Sequence, residues 1–213
     1  MRDPDFGDIK FKKPTSRFNF SCTGCADCCK NMKLKLNSLD VKLLCDRLDT
    51  STERFHSRYT VIAVGKNGLP EYMLRTMPQC VFYNEGKGCI VHKSRPMSCR
   101  LYPFGSYNVF NKTYFFKVRH CPGFKNTKKI TINGFIKEND LEKYINFINN
   151  WEVVSNVKLK NKKNQKDFIN LYKQLLFFFD SKFTKRFIKG HGLKNYSFED
   201  KIMYFINHLL ESM

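Results

Sequence analysis

Four cysteines fall within eight residues, Cys22, Cys25, Cys28 and Cys29, in the order C-x-x-C-x-x-C-C. Two intervening residues let successive sulfurs turn toward one centre, which is why this spacing recurs in zinc knuckles and ferredoxin-type clusters. Thiolates are soft ligands. A dense set of them selects zinc, iron–sulfur or cuprous copper over magnesium or calcium, and coordination adds stability to the fold around it. Adjacent side chains such as Cys28 and Cys29 diverge, so four ligands from this stretch alone are awkward and one of the pair suits a second centre.

More sulfur follows downstream: Cys80, Cys89, Cys99 and Cys121. With Cys22, Cys25, Cys28 and Cys29 they make eight candidate metal ligands, twice the number of a tetrahedral or cubane site. The arithmetic admits one four-sulfur centre with structural extras, or two centres. The ninth, Cys45, lies beside Leu43, Leu44 and Leu48 on a predicted helix and reads as buried packing, because an unligated cysteine behaves as a small hydrophobe. His92 and His120 lie close to cysteines, but the eight sulfurs suffice and both read as imidazoles outside the ligand set. Arg95 and Arg100 flank Cys99. They can donate to cluster sulfurs or hold an acidic substrate, yet pairing with acids such as Asp27 to orient the loop is the simpler reading.

The compartment decides whether these thiols stay reduced. The amino-terminal residues 1–8 carry acids and a proline rather than the apolar stretch of a signal peptide. The longest apolar run, Leu175 to Phe179, is far short of the roughly 20 residues that span a bilayer. The expectation is a soluble, cytoplasmic protein with no transmembrane segment, in which clustered cysteines bind metal rather than close disulfides.

Over 213 residues the hydrophobic fraction is 42% and the aromatic fraction 15%, against 27% charged, which excludes a disordered chain. Lys and Arg number 38 and Asp and Glu 19, a formal +19. Such a balance favours acidic partners, nucleic acid or an anionic membrane among them, or else reflects a surface filled with solvated lysine.

Along the chain, residues 1–19 read as an extended lead-in tied down by Phe18 and Phe20. Ser38 caps a helix through Leu48. Asn67-Gly68 joins strands at 60–64 and 71–75, and a second strand pair lies within 106–119 around Asn111-Lys112. Past Gly134 the cysteines stop at 121 and the character becomes helical. A helix opens at 139–142 and runs toward Trp151. The Lys/Asn stretch 156–166 reads as a linker. A helix follows over 167–179, Gly190-His191-Gly192 is a break, and Ser197 begins a last helix with Ile202, Phe205, Ile206 and Leu209 on its buried stripe. Two parts are expected, a cysteine-cluster metal-binding domain over 15–134 and a basic carboxy-terminal helical segment over 135–213.

Cys22 to Cys29, Cys80-Val81-Phe82, Gly88-Cys89-Ile90 and Arg95-Pro96-Met97-Ser98-Cys99-Arg100-Leu101-Tyr102-Pro103-Phe104 together resemble the YkgJ-type cysteine-cluster family, named for its CxxCxxCC signature, over residues 18–124. The resemblance implies zinc or iron chelation, or iron–sulfur binding, through the eight cysteines. It also brings relatives that methylate flagellin lysines, so a protein lysine methyltransferase-like enzyme is one reading. No Gly-rich loop for a nucleotide or S-adenosylmethionine supports that reading, and no G-x-S-x-G elbow, Walker motif or H-E-x-x-H motif occurs.

The fold class expected is α+β, mainly α: a small irregular Cys-ligated metal-binding domain with short β-hairpins, followed by carboxy-terminal helices. The function expected is metal binding, iron–sulfur favoured over zinc, in support of a redox or protein-modification reaction, with no reaction assigned. The alternative is a structural zinc domain offering a basic surface to nucleic acid, its patch built from Lys158, Lys160, Lys162, Lys163 and Lys166 with Phe168 and Tyr172. A protein partner is open, and nucleic acid is not the favoured one.

Overall fold

A computed structural model describes residues 11–12, 15–30, 32–109, 112–117, 121–155 and 165–211. The protein is α+β and mainly helical, with short antiparallel hairpins. It forms two compact units, each built from two stretches of chain: Met1–Cys28 with Met97–Asn146, and Cys29–Pro96 with Phe147–Met213.

In the first unit, β1 (Phe11–Lys12) pairs with β8 (Lys112–Lys117), which also pairs with β7 (Phe104–Val109). The β7–β8 register places Val109 opposite Lys112, so the connection is 110–111, outside the described residues. Strand β2 (Arg17–Asn19) pairs antiparallel with β9 (Lys129–Thr131). Phe18 and Phe20 do tie the lead-in down: the Phe18 ring lies 4.7 Å from Phe104, and Phe20 lies 5.6 Å from both Phe124 and Phe135. Tilted and edge-on packing of this kind adds to the apolar area it buries. Helix α4 (Ile132–Glu138), which the sequence reading missed, is capped by the Thr131 hydroxyl accepting from the Gly134 amide at 3.0 Å. Helix α5 (Glu142–Ser155) begins in this unit, with Tyr144 buried.

The second unit begins with α1 (Ser38–Leu48) and α2 (Thr52–Tyr59). The cap of α1 is Asn37, not Ser38. Asn37 Oδ1 accepts from the Asp40 amide at 2.9 Å while Asp40 Oδ2 accepts from the Asn37 amide, a reciprocal box. Ser38 is buried inside the first turn and donates instead to the Leu176 carbonyl. Strands β3 (Thr60–Val64) and β4 (Pro70–Leu74) form the expected hairpin. Its connection is a five-residue loop, 65–69, closed by the Gly65 amide donating to the Leu69 carbonyl, so Asn67-Gly68 is the tip and not the whole turn.

Helices α6 (Gln165–Leu176), α7 (Lys182–Gly190) and α8 (Phe198–Glu211) complete this unit. Ser197 Oγ accepts from the Asp200 amide at 3.1 Å, as its capping position predicts, and Ile202, Phe205, Ile206 and Leu209 are buried. Helix α7 was not expected. Ser181 caps it, and the Gly190-His191-Gly192 break is its end. Phe168 and Tyr172, offered above as part of a basic patch, are core residues of α6, and lysines 158–163 lie outside the described residues.

The core of this unit closes around Phe177, whose ring lies 4.3 Å from Tyr72, 5.6 Å from Trp151 and 5.7 Å from Tyr172. His56 is buried beside it. Its Nε2–H donates to the Phe177 carbonyl at 3.2 Å, and Nδ1 faces the Thr60 hydroxyl at 3.3 Å. Burial depresses its pKa from 6.5 to about 4. The unfolded chain therefore takes up a proton near pH 6.5 that the fold refuses until near pH 4. Stability is full above pH 6.5 and falls by about 3 kcal/mol as pH drops to 4. Denaturation of wild type and His56→Gln across that range checks this: the variant should lack this part of the acid loss.

Candidate metal centre

The C-x-x-C-x-x-C-C segment is a loop bent at two left-handed residues, Gly24 (φ +67°) and Ala26 (φ +60°), one on each side of Cys25. An alanine rarely takes this conformation, because its Cβ crowds the backbone. The bends replace what would be an extended run with a tight curve, and a short 3₁₀ turn, Asp27–Cys29, follows. Cys22 and Cys25 are exposed with free thiols, while Cys28 and Cys29 are half-buried. A Cβ built on Gly24 meets nothing within 4 Å, so only its φ matters. Gly24→Ala is expected to cost about 1–2 kcal/mol through conformation alone, measurable by thermal denaturation of the metal-free protein.

The loop is tied to Cys121 by backbone. The Ser21 amide donates to the Gly123 carbonyl at 3.1 Å and the Phe20 amide to the Lys128 carbonyl at 2.8 Å. Cys121 opens the 3₁₀ turn Pro122–Lys125. The approach is close enough to require glycine: a Cβ at Gly123 would stand 2.7 Å from both the Ser21 carbonyl oxygen and the Phe20 ring. Cys99 lies in the short helix α3 (Met97–Leu101), half-buried, and the Arg100 guanidinium beside it sits 5.3 Å over the Tyr144 ring. Cys22, Cys25, Cys28, Cys99 and Cys121 thus belong to the first unit.

Cys29, Cys80 and Cys89 belong to the second. The Cys80 amide donates to the Cys29 carbonyl at 2.7 Å, next to an antiparallel bridge between Lys30 and Gln79. Cys89 ends the small hairpin of β5 (Tyr83–Asn84) and β6 (Gly88–Cys89), where it pairs with Tyr83, and the Tyr83 amide donates back to the Cys80 carbonyl at 2.9 Å. Burial is the main influence raising the Cys80 pKa. The nearby Cys89 adds to the rise, and the Phe82 and Tyr83 amides oppose it. The division between units falls between the adjacent Cys28 and Cys29.

Cys45 is different from the other eight. It is buried on α1, and burial first, then Asp180 and Asp46, push its pKa up to about 12. A thiol held this firmly neutral packs and does not ligate. His92 is exposed, with Arg95 Nη1 within 3.0 Å of both ring nitrogens and 3.1 Å from its carbonyl. Arg95 meets His92 here, a contact the sequence reading did not foresee. His120 lies outside the described residues.

Among the described residues, no three or more His, Cys, Asp or Glu side chains converge closely enough to hold a metal ion. The donor chemistry nonetheless fits a thiophilic metal: Cys22, Cys25, Cys80 and Cys89 carry free, accessible or half-buried thiols on tight backbone turns. The left-handed Ala26 and the close approach at Gly123 were not foreseen from the sequence. An Ala-Asp dipeptide carries no signal for positive φ, whereas Gly123 directly follows Cys121-Pro122 and marked the place without its reason.

No helix among the described residues is long and apolar enough to cross a membrane. No curated protein and no solved structure gives a significant match to the chain. Residues 21–122 match a family whose description reads "CxxCxxCC: Putative zinc- or iron-chelating domain". The match opens one residue before Cys22 and closes one residue after Cys121, so all eight candidate ligands lie inside it. Over this stretch, residues 21–122, the chain is therefore similar to the CxxCxxCC family of zinc- or iron-chelating domains.

Proposed function

We propose that the protein binds iron in iron–sulfur form through the set Cys22, Cys25, Cys28, Cys29, Cys80, Cys89, Cys99 and Cys121, as one four-sulfur centre with structural extras or as two centres, and that it works in the reducing cytoplasm, in support of a redox or protein-modification reaction. The observation that carries this reading is the bent loop: exposed thiols of Cys22 and Cys25 on a backbone turned left-handed at Gly24 and Ala26, tied by hydrogen bonds to the turn that Cys121 opens. Iron–sulfur clusters are held by cysteine thiolates at this spacing. When bound, such a centre supplies one-electron transfer.

The chain's own contribution is ligation and shielding. Half-burial of six of the eight sulfurs limits solvent contact, and the amides of Phe82 and Tyr83 stabilise the Cys80 thiolate. The cysteine domain is proposed to span 15–134 and the basic helical segment 135–213. The reading is tested by X-ray absorption at the iron and zinc edges on protein purified without oxygen. An iron edge with an all-sulfur first shell is expected. A zinc edge without iron overturns the choice of metal, and a first shell containing nitrogen or oxygen overturns the ligand set.

A further inference from the structure

The hairpin of β3 and β4 is covered along one edge and open along the other. Beside β4, the Leu36 amide donates to the Tyr72 carbonyl at 2.9 Å and the Leu74 amide to the Leu34 carbonyl at 2.8 Å, so residues 34–36 take up its outward peptide groups. Strand β3 has no neighbour on its far side. The Arg75 amide donates to the Tyr59 carbonyl and the Gly65 amide to the Leu69 carbonyl, each at 2.9 Å, which fixes 59, 61, 63 and 65 as the positions bonded to β4 and its flanks. The peptide groups of Thr60, Ile62 and Val64 therefore point outward. Those of Thr60 are satisfied, the amide by the His56 carbonyl and the carbonyl by Arg75 Nε at 3.1 Å. Those of Ile62 and Val64 have no partner among the described residues.

The side chains of the same strand are equally open. Ile62 lies opposite Tyr72 and Val64 opposite Pro70, both buried, so the four share the core-facing side of the hairpin. Yet Ile62 is 60% exposed and Val64 79%, and Val61 on the reverse side is 50%. The core stops beneath β4, and β3 overhangs it. An edge that combines free ladder groups with aliphatic side chains is a template for one more strand. Lipid does not fit it, because an acyl chain offers an amide or a carbonyl nothing to bond.

Charge decides which strand. Arg58 and Arg75 stand at the start of β3 and Lys66 at its end, all exposed, and Arg75 reaches the edge itself through Thr60. The only acid of the hairpin, Glu71, is engaged by Lys35 at 2.7 Å. A second copy pairing antiparallel, Ile62 on Val64 in both directions, would set each Lys66 opposite Thr60 of the other chain, beside its Arg58 and Arg75. Like charges placed across strands are destabilising, and a five-residue strand offers far less than the roughly 800 Å² per partner of a stable interface. The cations that repel a second copy attract an acidic chain.

We propose that the open edge of β3 binds an extended acidic segment of a partner protein by strand addition, independently of the metal. The segment bonds to the peptide groups of Ile62 and Val64, covers their side chains with aliphatic residues at alternate positions, and sets acids at its two ends against Arg58, Arg75 and Lys66.

The test is fluorescence anisotropy of a labelled peptide of alternating valine and threonine, with two glutamates at each end, against the metal-loaded protein. Val64→Pro deletes an outward amide and no bond to β4, a place where an edge strand tolerates proline. It should weaken binding roughly tenfold. Lys66→Glu should also weaken it roughly tenfold at low salt, and the difference should close by about 0.5 M salt. Thermal melts confirm that both variants fold. A third arm leaves the protein unchanged. Methylating alternate backbone nitrogens of the peptide removes the donors of one of its edges, so one of the two alternating patterns should abolish binding and the other leave it nearly intact. Unchanged affinity in Val64→Pro, or with both methylated peptides, overturns strand addition. Tighter binding of the same peptide with lysines at its ends overturns the acidic partner. Dimerisation of the protein alone in analytical ultracentrifugation, lost in Val64→Pro, assigns the edge to a second copy and overturns the proposal as well.

Discussion

Replacing Cys25 by serine is expected to leave the purified protein almost without metal. Cys25 sits between the two left-handed residues at the crest of the loop, exposed and free. Serine keeps the size of the side chain and removes the soft thiolate. Loss of a partner that only supports a metal ligand already costs 10- to 100-fold in affinity, so loss of a direct ligand should exceed about 100-fold. Because site formation and folding are linked, the variant should also melt at a lower temperature and be less soluble than the loaded parent. Cys22→Ser and Cys99→Ser should behave alike. Cys45→Ser provides the contrast: its thiol is buried and held neutral, so metal content should not change, although the fold should lose about 1–3 kcal/mol from a hydroxyl placed in an apolar site. Elemental analysis beside thermal melts of the four variants checks this. Full metal retention in the first three would remove the ligand assignment.

Phe177→Ala should be the most destabilising single change outside the cysteines, by about 3–5 kcal/mol. The side chain is fully buried. Tyr72, Trp151, Tyr172 and His56 all lie around its ring, at centroid distances of 4.3, 5.6, 5.7 and 6.0 Å. These partners come from a β-hairpin and from helices on both sides of the sequence gap, so a cavity at this point loosens both stretches of the second unit together. Chemical denaturation should show a lower midpoint for that unit. A change below about 1 kcal/mol would mean that Phe177 is not its keystone.

Local pattern was legible where a short stretch determines its own conformation. The β3–β4 hairpin follows from β-branched residues around Asn67-Gly68, and α8 follows from Ser197 and an apolar stripe at helical spacing. Phe18 and Phe20 were recognisable as anchors. Shorter elements escaped. Helix α7 has only nine residues with a lysine at every third or fourth place, and its Ser181 cap was not singled out in the sequence. Ser38 looked like the cap of α1, yet Asn37 with Asp40 satisfies two amides at once and leaves Ser38 for a distant carbonyl. That the carboxy-terminal helices pack with Cys29–Pro96 depends on contacts such as Phe177 with Tyr72, far apart in sequence and without any local signature. For the site, cysteine spacing pointed to eight candidate donors, while the left-handed Ala26 and the Arg95–His92 contact arise only from tertiary context.

The most direct test is iron and acid-labile sulfide, measured per chain on protein purified without oxygen, together with the visible absorption spectrum. Iron matched by sulfide in a brown protein, with both lost in Cys25→Ser, is the predicted result. Colourless protein carrying about one or two zinc ions and no sulfide would contradict the iron–sulfur account and make the cysteines a structural staple.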